Sequence, residues 1–331
     1  MPEFLTPEQN ALKDKADEFA RNVLLASDEA DDDRHAHVRS AAKTAGFFQM
    51  TQPASFGGSE ASQTELTVVR ETLASYNPAS IDAVFGPSPG VLGGVTGDLR
   101  ETHLTPLMAG EKRGSFGFTE PDNVDRATFG IIEGDQLTIT GQKSYVTGGG
   151  EADFINTLVH IEERGPSMVV IDTALPGVHL AQRFSSLDGS HHAAFTFDGV
   201  QVPLSHVIGE PGQGLPRAMR QIGDTRMLFA AHACGYMIYV LNMLNRHLIE
   251  KDKSGTPRGD KDVVRWHYAN LRIKAFAARS MLYRTSRLAD AGENIVNEAM
   301  ACKAFSTETI GEIVDTGIQL MGGSALVEGH P

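Results

Sequence analysis

The apolar residues of this chain change their spacing twice, and this change limits the folds that the chain can adopt. Before residue 112 they follow a helical spacing, as in the stripe of Leu12, Phe19 and Val23. The preceding sequence Thr6–Gln9 is a strong helix start, since it places a hydroxyl at the N-cap, proline in the first turn and glutamine three residues after the cap. We therefore predict an N-terminal helical domain over residues 1–111.

After residue 112, short segments of strand type replace the helical stripes. Gln136–Thr140 and Ala194–Phe197 alternate polar and apolar residues, and Ser167–Ile171 is a short apolar run. Glycine, proline or aspartate bounds each of these segments, as is typical of strands joined by turns. The sequence therefore predicts a middle antiparallel β domain over residues 112–216.

Helical spacing returns from residue 217. Two long apolar stripes repeat at three- and four-residue steps: Val264, Tyr268, Leu271, Ala275, Ala278 and Leu282, and then Met300, Ala304, Thr307, Val314, Gly317 and Met321. With the apolar segment before the charged linker 251–261, they predict at least three long helices packed as a C-terminal bundle over residues 217–331. The expected fold class is α+β, with a helical domain, an antiparallel β domain and a helical bundle in that order.

Charge and cysteine content narrow the possible functions. The 331 residues include 42 acidic and 29 basic side chains, a net charge of −13, which argues against binding nucleic acid through phosphate contacts. Cys234 and Cys302 are the only cysteines, so we expect two inert buried thiols and a reducing compartment. Residues 1–25 lack a secretory signal, and no segment matches the length of a membrane-spanning helix. We expect a cytoplasmic protein that binds small molecules or other proteins and no membrane.

Two motifs suggest other chemistry but fail on physical grounds. Gly86–Gly90 matches the Gly-x-Ser-x-Gly elbow of serine hydrolases, but Pro89 has no backbone N–H to stabilise an oxyanion. The run Asp31–His37 contains several possible metal ligands, yet they lack the one-face spacing of a metal site and lie in a charged stretch. We therefore predict neither a serine hydrolase nor a metal centre.

The most specific chemistry lies in Phe116–Pro121, with the sequence FGFTEP, and in Gly141–Gly150, with the sequence GQKSYVTGGG. A hydride-accepting flavin needs backbone and hydroxyl hydrogen bonds in a place that excludes water. Both segments resemble the flavin-binding signatures of the acyl-CoA dehydrogenase family. The resemblance covers nearly the whole chain, because further family motifs follow in order and spacing: Pro53–Gly58, Leu104–Glu111, Gly141–Asp153, Phe197–Pro203, Val207–Gly209 and Asp315–Gly323.

The resemblance implies FAD as the cofactor and assigns the contacts to its ring. Phe118 and Thr119 are similar to the family's backbone and hydroxyl contacts to the flavin. Tyr145 stands where the family usually has tryptophan against the ring, and Thr147 matches the hydroxyl near the hydride-accepting nitrogen. These four residues are the candidate ring contacts.

The resemblance also implies an assembly of several subunits. Gln319, Gly322 and Gly323 match positions that hold the adenosine end of the cofactor in a neighbouring subunit, and Arg258 is a further candidate. Arg226 matches the family arginine near the acyl-CoA site, where a guanidinium can bind a phosphate or carboxylate, although a structural ion pair is an equal alternative. The expected assembly is a homotetramer or dimer of dimers.

One departure from the family concerns the cofactor's phosphates. Family members usually follow Thr-Glu-Pro with a small Gly-Ser-Asp run that approaches the pyrophosphate, whereas this chain has Asp122–Arg126. Extra carboxylates near phosphates should weaken binding unless Arg126 turns inward to compensate for their charge.

A second departure concerns the catalytic base. Dehydrogenation next to a thioester needs a carboxylate to remove the α-proton. In most of the family this glutamate lies beyond the motif that ends at Gly323, and the given sequence stops at Pro331 before reaching it. In a second group the glutamate precedes the arginine of the first bundle helix, where this chain has Thr225. The adjacent Asp224 is the candidate base.

The resemblance therefore implies an FAD-dependent acyl-CoA dehydrogenase of fatty acid metabolism that passes electrons to an electron-transfer flavoprotein. One alternative is a catalytically incomplete FAD-binding subunit of a hetero-oligomer. Another is a family member that uses the flavin for oxygenation or for a redox-neutral reaction, which Ser324 and Ala325, in place of a second glycine, leave open.

Overall fold

The computed structural model describes residues 4–26, 31–187 and 189–330, with nothing described for the side chains of residues 31 and 32. The chain forms two compact units, residues 87–222 and residues 1–86 with 223–331. The helices are α1 (Pro7–Phe19), α2 (Asp31–Ala45), α3 (Gln63–Ala74), α4 (Thr105–Ala109), α5 (Gly214–Ile249), α6 (Asp262–Asp290) and α7 (Val296–Met321). The strands are β1 (Gly114–Gly117), β2 (Phe129–Glu133), β3 (Gln136–Thr147), β4 (Phe154–Ile161), β5 (Gly165–Asp172), β6 (Val178–Ser185) and β7 (His191–Pro203).

Helix α1 begins as its sequence predicts. The Thr6 hydroxyl accepts a hydrogen bond from the Gln9 amide at 3.2 Å, and the Gln9 side chain accepts one from the Thr6 amide at 3.1 Å. Ser62 and Glu65 make the same reciprocal pair at the start of α3. Each pair satisfies backbone N–H donors that the first turn of a helix leaves without partners. The two capping boxes therefore define where α1 and α3 begin.

The middle unit is built on one seven-stranded sheet in the order β1-β4-β2-β3-β7-β6, with β5 paired to β4. The pairs β2/β3, β3/β7, β4/β5 and β6/β7 are antiparallel, whereas β1 and β2 each run parallel to β4. All three strand segments that the sequence predicts lie inside longer strands. The α+β fold class is confirmed, and two parallel pairings are added to the antiparallel sheet.

The other unit has a core shared by α5, α6 and α7, as the apolar stripes predict. Its fully buried members include Met227 and Cys234 from α5, Ala278 from α6, and Cys302 from α7. Both cysteines are free and buried, as expected, and burial raises the pKa of each thiol, that of Cys302 to about 11.

The expectation that no segment matches the length of a membrane-spanning helix is wrong for α5. By length and apolar composition alone this 36-residue helix could cross a membrane. Half of its most apolar window is buried inside the protein, as in the core helix of a soluble fold, so this is weak evidence for a membrane.

Helix α5 also approaches α3 unusually closely, at Gly235. A Cβ atom on this residue would lie 2.5 Å from the Ala74 Cβ and 2.5 Å from the Glu71 carbonyl oxygen. The two backbones therefore touch at a point that only glycine permits, and this contact sets the spacing of the two helices.

Gly235→Ala should lower the free energy of unfolding by about 1–3 kcal/mol, because the added methyl group must push two helix backbones apart. The matched control is Gly311→Ala in α7, where a Cβ meets nothing within 4 Å. The control should stabilise by about 0.5–1 kcal/mol through helix propensity and a less flexible unfolded chain. Urea unfolding of both variants measures the difference, and equal effects at the two sites would contradict the close contact.

Candidate active site

The segment after β1 carries two predicted ring contacts and is tied to β3. The Thr119 carbonyl accepts a hydrogen bond from the Ser144 amide at 2.8 Å, and the Phe118 carbonyl accepts one from Lys143 Nζ at 3.4 Å. The Phe118 ring is half-buried and stacks on Phe116 with centroids 5.9 Å apart, whereas Thr119 is exposed. The structure therefore holds the backbone of this segment firmly and leaves the Thr119 side chain accessible.

A buried ion pair lies directly behind this segment. Lys143 Nζ lies 2.5 Å from Glu120 Oε1, and the side chains are 1% and 19% exposed. The Thr128 amide donates a further hydrogen bond to Glu120 at 3.0 Å. Burial alone would raise the pKa of the Glu120 carboxyl, but the hydrogen bonds from Lys143 and Thr128 outweigh it and lower the pKa. Burial also lowers the pKa of Lys143, and Glu120 offsets part of that effect.

Tyr145 lies in a β-bulge of β3, and its side chain is exposed to solvent. The pairing of β3 with β7 is irregular between Lys143 and Val146, and Tyr145 has a left-handed backbone, with φ of 52°. Its side chain is 65% exposed and stacks on Phe184 of β6, with ring centroids 5.5 Å apart and planes 30° apart. A left-handed conformation costs a non-glycine residue about 1–3 kcal/mol and tends to occur at functional sites.

Thr147 ends β3 two residues further on. Its side chain is exposed, while its carbonyl accepts a hydrogen bond from the Ser115 hydroxyl at 3.0 Å. Tyr145 and Thr147 therefore form an exposed aromatic and hydroxyl surface on a braced strand end, which suits a planar ring with polar edges. The donor set fits the flavin that the sequence predicts.

Arg126 is the side chain that could offset the extra carboxylates by turning inward, and here it pairs with Glu162. Its Nη2 lies 2.7 Å from Glu162 Oε1, and its guanidinium lies 3.6 Å from the centre of the Phe129 ring. Both charged side chains are about half exposed. Arg126 therefore balances the charge of Glu162 in this structure.

Asp224 and Arg226 lie near the start of the part of α5 that belongs to the other unit. Asp224 is exposed, and its carboxylate acts electrostatically on the buried Arg70 of α3. Arg226 is half-buried, and its Nη1 has no hydrogen-bond partner among the residues that the structure describes.

The residues predicted to hold the cofactor's adenosine end lie at the end of α7. Gln319, Gly322 and Gly323 are exposed there, and Gly322 has the left-handed φ that glycine favours. Arg258 lies in a short turn before α6, with its Nη1 3.3 Å from the Glu250 carbonyl and 3.4 Å from Glu250 Oε2. Within the part of the chain that the structure describes, the hydrogen bonds of Arg258 go to Glu250 and not to Gln319, Gly322 or Gly323.

Sequence reasoning missed the Lys143–Glu120 pair. A signal was present, because Lys143 is in phase with the buried Leu137 and Ile139 along β3 and so had to point inward. A lysine on the buried face of a sheet needs a carboxylate partner. Phe184 was missed because its contact with Tyr145 depends on strand pairing. Within the described ranges, no group of three or more His, Cys, Asp or Glu residues is arranged to hold a metal ion.

Comparison with known proteins identifies the family. Residues 6–111 match the family model described as acyl-CoA dehydrogenase, N-terminal domain, and residues 212–331 match the acyl-CoA dehydrogenase, C-terminal domain. Together the two matches cover well over half of the chain. The chain belongs to the acyl-CoA dehydrogenase family, whose members are flavoprotein oxidoreductases.

Individual relatives are distant but span most of the chain. The chain is 25% identical to an acryloyl-CoA reductase (NADH) of Anaerotignum propionicum, over 99% of this chain and 88% of that protein. It is also 25% identical to the caffeyl-CoA reductase-Etf complex subunit CarC of Acetobacterium woodii, over 86% and 78%. The crystal structure of a "probable acyl CoA dehydrogenase from Mycobacterium abscessus" has a TM-score of 0.81 at 25% identity and covers 98% of this chain and 91% of that one.

Glu120→Gln should cost about 3–5 kcal/mol at neutral pH, because it leaves the Lys143 ammonium buried without a counter-charge. A lysine whose pKa is lower in the folded than in the unfolded protein binds fewer protons when folded, so stability should return as pH rises toward the usual lysine pKa of about 10.4. The double variant Glu120→Gln, Lys143→Met should recover most of the loss at neutral pH.

Urea unfolding at several pH values measures both effects. The control is Glu133→Gln, which changes an exposed carboxylate in β2 of the same sheet. It should alter stability by less than about 0.5 kcal/mol. A Glu120→Gln loss that does not shrink at high pH would show that Lys143 is not the group left unpaired.

Proposed function

We propose that the protein is an FAD-dependent acyl-CoA dehydrogenase that removes hydrogen from the α and β carbons of an acyl-CoA thioester. The observation that carries the proposal is the exposed surface of Tyr145 and Thr147, on a bulge that the buried Lys143–Glu120 pair braces, in a chain of this family. A solvent-exposed aromatic residue such as Tyr145, in a strained backbone conformation on a rigid support, is expected where a planar cofactor binds.

The residues of the middle unit have distinct parts in this proposal. The backbone of Phe118 and the hydroxyl of Thr119 would hold the polar edge of the flavin, and the Tyr145 side chain would offer an aromatic surface to its ring. The Thr147 hydroxyl would donate a further hydrogen bond to it. FAD, when bound, supplies the acceptor for the β-hydride. Two ring pairs lie in this unit, since Phe116 stacks on Phe118 and Phe184 stacks on Tyr145. Their apolar surface would limit the access of water to a bound ring.

Asp224 is the proposed base for the α-proton. Its carboxylate is exposed, so it is accessible to a substrate, and it lies within electrostatic reach of Arg70. A neighbouring guanidinium favours the ionised carboxylate, which is the form that accepts a proton. Arg226, two residues away on α5, would bind a phosphate or carboxylate oxygen through Nη1, which has no hydrogen-bond partner among the described residues.

The direction of the reaction and the electron partner are part of the proposal. The relatives from Anaerotignum propionicum and Acetobacterium woodii are named as reductases, so reduction of an α,β-unsaturated acyl-CoA is the second candidate. The same groups serve both directions, since a base that accepts the α-proton in one direction donates it in the other. An electron-transfer flavoprotein is the proposed partner, supported by the name of the Acetobacterium woodii complex subunit.

A homotetramer or dimer of dimers in the cytoplasm, with a place in fatty acid metabolism, completes the proposal. The helices of the bundle carry large apolar side chains that are at least two-fifths exposed: Trp266, Ile273, Phe276, Val314 and Ile318. Contiguous exposed apolar surface on a soluble protein usually marks an interface. The two free cysteines are consistent with a reducing compartment. Light scattering during gel filtration tests the assembly.

Thr147→Val should weaken FAD binding or slow flavin reduction by about tenfold, the effect of losing one hydrogen bond worth about 1.4 kcal/mol. Thr138→Val, on the same strand, is the control and should change neither. The measurement is FAD titration followed by bleaching of the flavin's visible absorbance with butyryl-, hexanoyl- and branched-chain acyl-CoA. Equal effects of the two variants would contradict the assigned contact.

Bleaching with the wild-type protein also separates the proposal from its alternatives. Reduction of bound FAD by this chain alone would exclude a catalytically incomplete subunit. Oxygen uptake by the reduced protein would instead favour oxygenation. A protein that binds FAD but is reduced by no acyl-CoA, and oxidised by no enoyl-CoA, would contradict the proposed reaction in both directions.

Asp224→Asn should slow flavin reduction at least about a hundredfold, as the loss of a general base does, and leave the acyl-CoA dissociation constant within about threefold. The amide keeps the size of the carboxylate but cannot accept the α-proton at neutral pH. Glu308→Gln, an exposed carboxylate change on α7, is the control and should leave the rate unchanged. If Asp224→Asn reduces flavin at the wild-type rate, another group is the base.

A further inference from the structure

The middle unit carries a histidine beside the candidate ring contacts, to which no role has been assigned. His192 of β7 is the pairing partner of Thr147 on β3 and of Phe184 on β6. Residues that are directly opposite in antiparallel strands direct their side chains to the same face of the sheet. Thr147, His192 and Phe184 therefore form a row across three adjacent strands, on one face.

The stacked rings of Tyr145 and Phe184 show that Tyr145 shares this face. Their centroids lie 5.5 Å apart, although β7 lies between β3 and β6 in the sheet. Two side chains can meet across an intervening strand only if both project from the same face of the sheet. His192 belongs to that intervening strand and to that face. It therefore lies in the middle of the surface formed by Tyr145, Thr147 and Phe184.

The backbone at His192 is fixed by the sheet on both sides. The Gly148 amide donates a hydrogen bond to the His191 carbonyl at 2.8 Å. The next pair in register, Val146 with Ala193, is fully buried. A side chain on a paired strand is positioned more precisely than one on a loop, so the place of the His192 ring beside Thr147 is well defined.

The hydrogen bonds of the His192 ring are incomplete. The ring is half-buried, and its Nδ1 is buried with no hydrogen-bond partner among the residues that the structure describes. The adjacent His191 differs, because its ring is exposed and its Nδ1 lies 3.3 Å from the Ser185 hydroxyl. A half-buried imidazole with an unused nitrogen, beside the candidate ring contacts, requires an explanation.

Burial of Nδ1 determines which nitrogen of the neutral His192 ring carries the proton. A proton on Nδ1 would be a buried N–H donor without an acceptor, and folded proteins leave buried donors without partners less often than acceptors. The neutral ring therefore carries its proton on Nε2, the nitrogen farther from the backbone. This N–H is a hydrogen-bond donor in the same row as the Thr147 hydroxyl.

Two donors at paired positions suit the polar edge of a flavin ring. The Cβ atoms of directly opposite residues in antiparallel strands lie about 4.5–5.5 Å apart, and the isoalloxazine has several acceptors along one edge. Reduction of a flavin adds negative charge to that edge. A hydrogen-bond donor there stabilises the reduced form more than the oxidised form, because hydrogen bonds to charged acceptors are the stronger ones.

We propose that His192 is a further flavin-binding residue, whose Nε2–H donates to the polar edge of the bound ring next to Thr147 and raises the reduction potential of the flavin. The inference rests on the proposed FAD-dependent function, because the ligand is the same ring. His192 takes no proton from the substrate in this role. It acts on the reaction only through the stability of the reduced cofactor.

The experiment measures the reduction potential of the FAD-loaded protein by equilibration with dyes of known potential, read from the flavin absorbance. His192→Leu removes the donor and should lower the ratio of reduced to oxidised flavin about tenfold, a fall of about 30 mV for a two-electron couple. His192→Gln carries an amide N–H near the position of Nε2 and should keep the ratio within about twofold. His192→Asn carries its amide near the position of Nδ1 and should behave like His192→Leu.

His179→Leu is the matched control, since it changes an exposed histidine of β6 that is paired with Thr196 and not with the row at Thr147. It should leave the potential unchanged. Thermal unfolding of the FAD-free proteins separates a flavin contact from a structural role. Equal falls in melting temperature for the Leu, Gln and Asn variants of His192, with no change in potential, would overturn the proposal in favour of a structural histidine.

The failure of this inference can be distinguished from the failure of the proposed function. If acyl-CoA bleaches the flavin of the wild-type protein while His192→Leu has the wild-type potential, the histidine contact is refuted and the dehydrogenase proposal stands. If FAD binds and His192→Leu lowers its potential but no acyl-CoA bleaches it, the contact stands and the dehydrogenase proposal fails. A wild-type protein that does not bind FAD would refute both.

Discussion

The geometry of the candidate site depends on one buried ion pair, Lys143 with Glu120. A lysine in phase with apolar residues on the inner face of β3 cannot be satisfied by water, so its ammonium takes a carboxylate from the neighbouring segment. That bond fixes Glu120, and with it the backbone of Thr119, against the strand. The charge pair contributes little as a source of stability in itself, but removing either member would leave the other buried alone. Its main effect is therefore to fix geometry.

Strand β3 then departs from regular strand geometry at Tyr145, whose ring is exposed. The bulge after Lys143 turns Tyr145 outward in a left-handed conformation, and β6 supplies Phe184 as a supporting ring. Irregular backbone of this kind is maintained only when the surroundings are rigid. Lys143 points to the buried face of β3 and Tyr145 to its exposed face. The ion pair fixes the buried face, and the exposed face is accessible to a ligand.

In the bundle unit, a small residue allows two helices to approach closely. Gly235 allows α5 to touch the backbone of α3. Glu71 of α3 and Arg279 of α6 pair with each other, whereas Arg70 Nε and His232 Nε2 have no hydrogen-bond partner among the residues that the structure describes. The fold therefore pairs the Arg279 guanidinium with a carboxylate, whereas the Nε of Arg70 has no hydrogen-bond partner among the described residues.

Much of the fold could be predicted from local patterns, and the candidate site only in part. The reciprocal cap of Thr6 and Gln9, the strand segments in the middle unit and the stripes of α6 and α7 depend on nearby residues, so the sequence shows them directly. The parallel pairing of β1 with β4, the stacking of Phe184 on Tyr145 and the close contact at Gly235 depend on residues far apart in the chain. The family resemblance indicated Tyr145 and Thr147, but the strain at Tyr145 and the open donors of Arg70 and His232 appear only in three dimensions.

The central claim is that the surface around Tyr145 and Thr147 holds the isoalloxazine of FAD, and a crystal structure of the protein grown with FAD tests it most directly. The account predicts the flavin ring against the Tyr145 side chain, with the hydroxyls of Thr119 and Thr147 within hydrogen-bond distance of its polar edge. Electron density for the ring at another surface, or crystals from FAD-saturated protein in which this surface contacts only solvent, would contradict it.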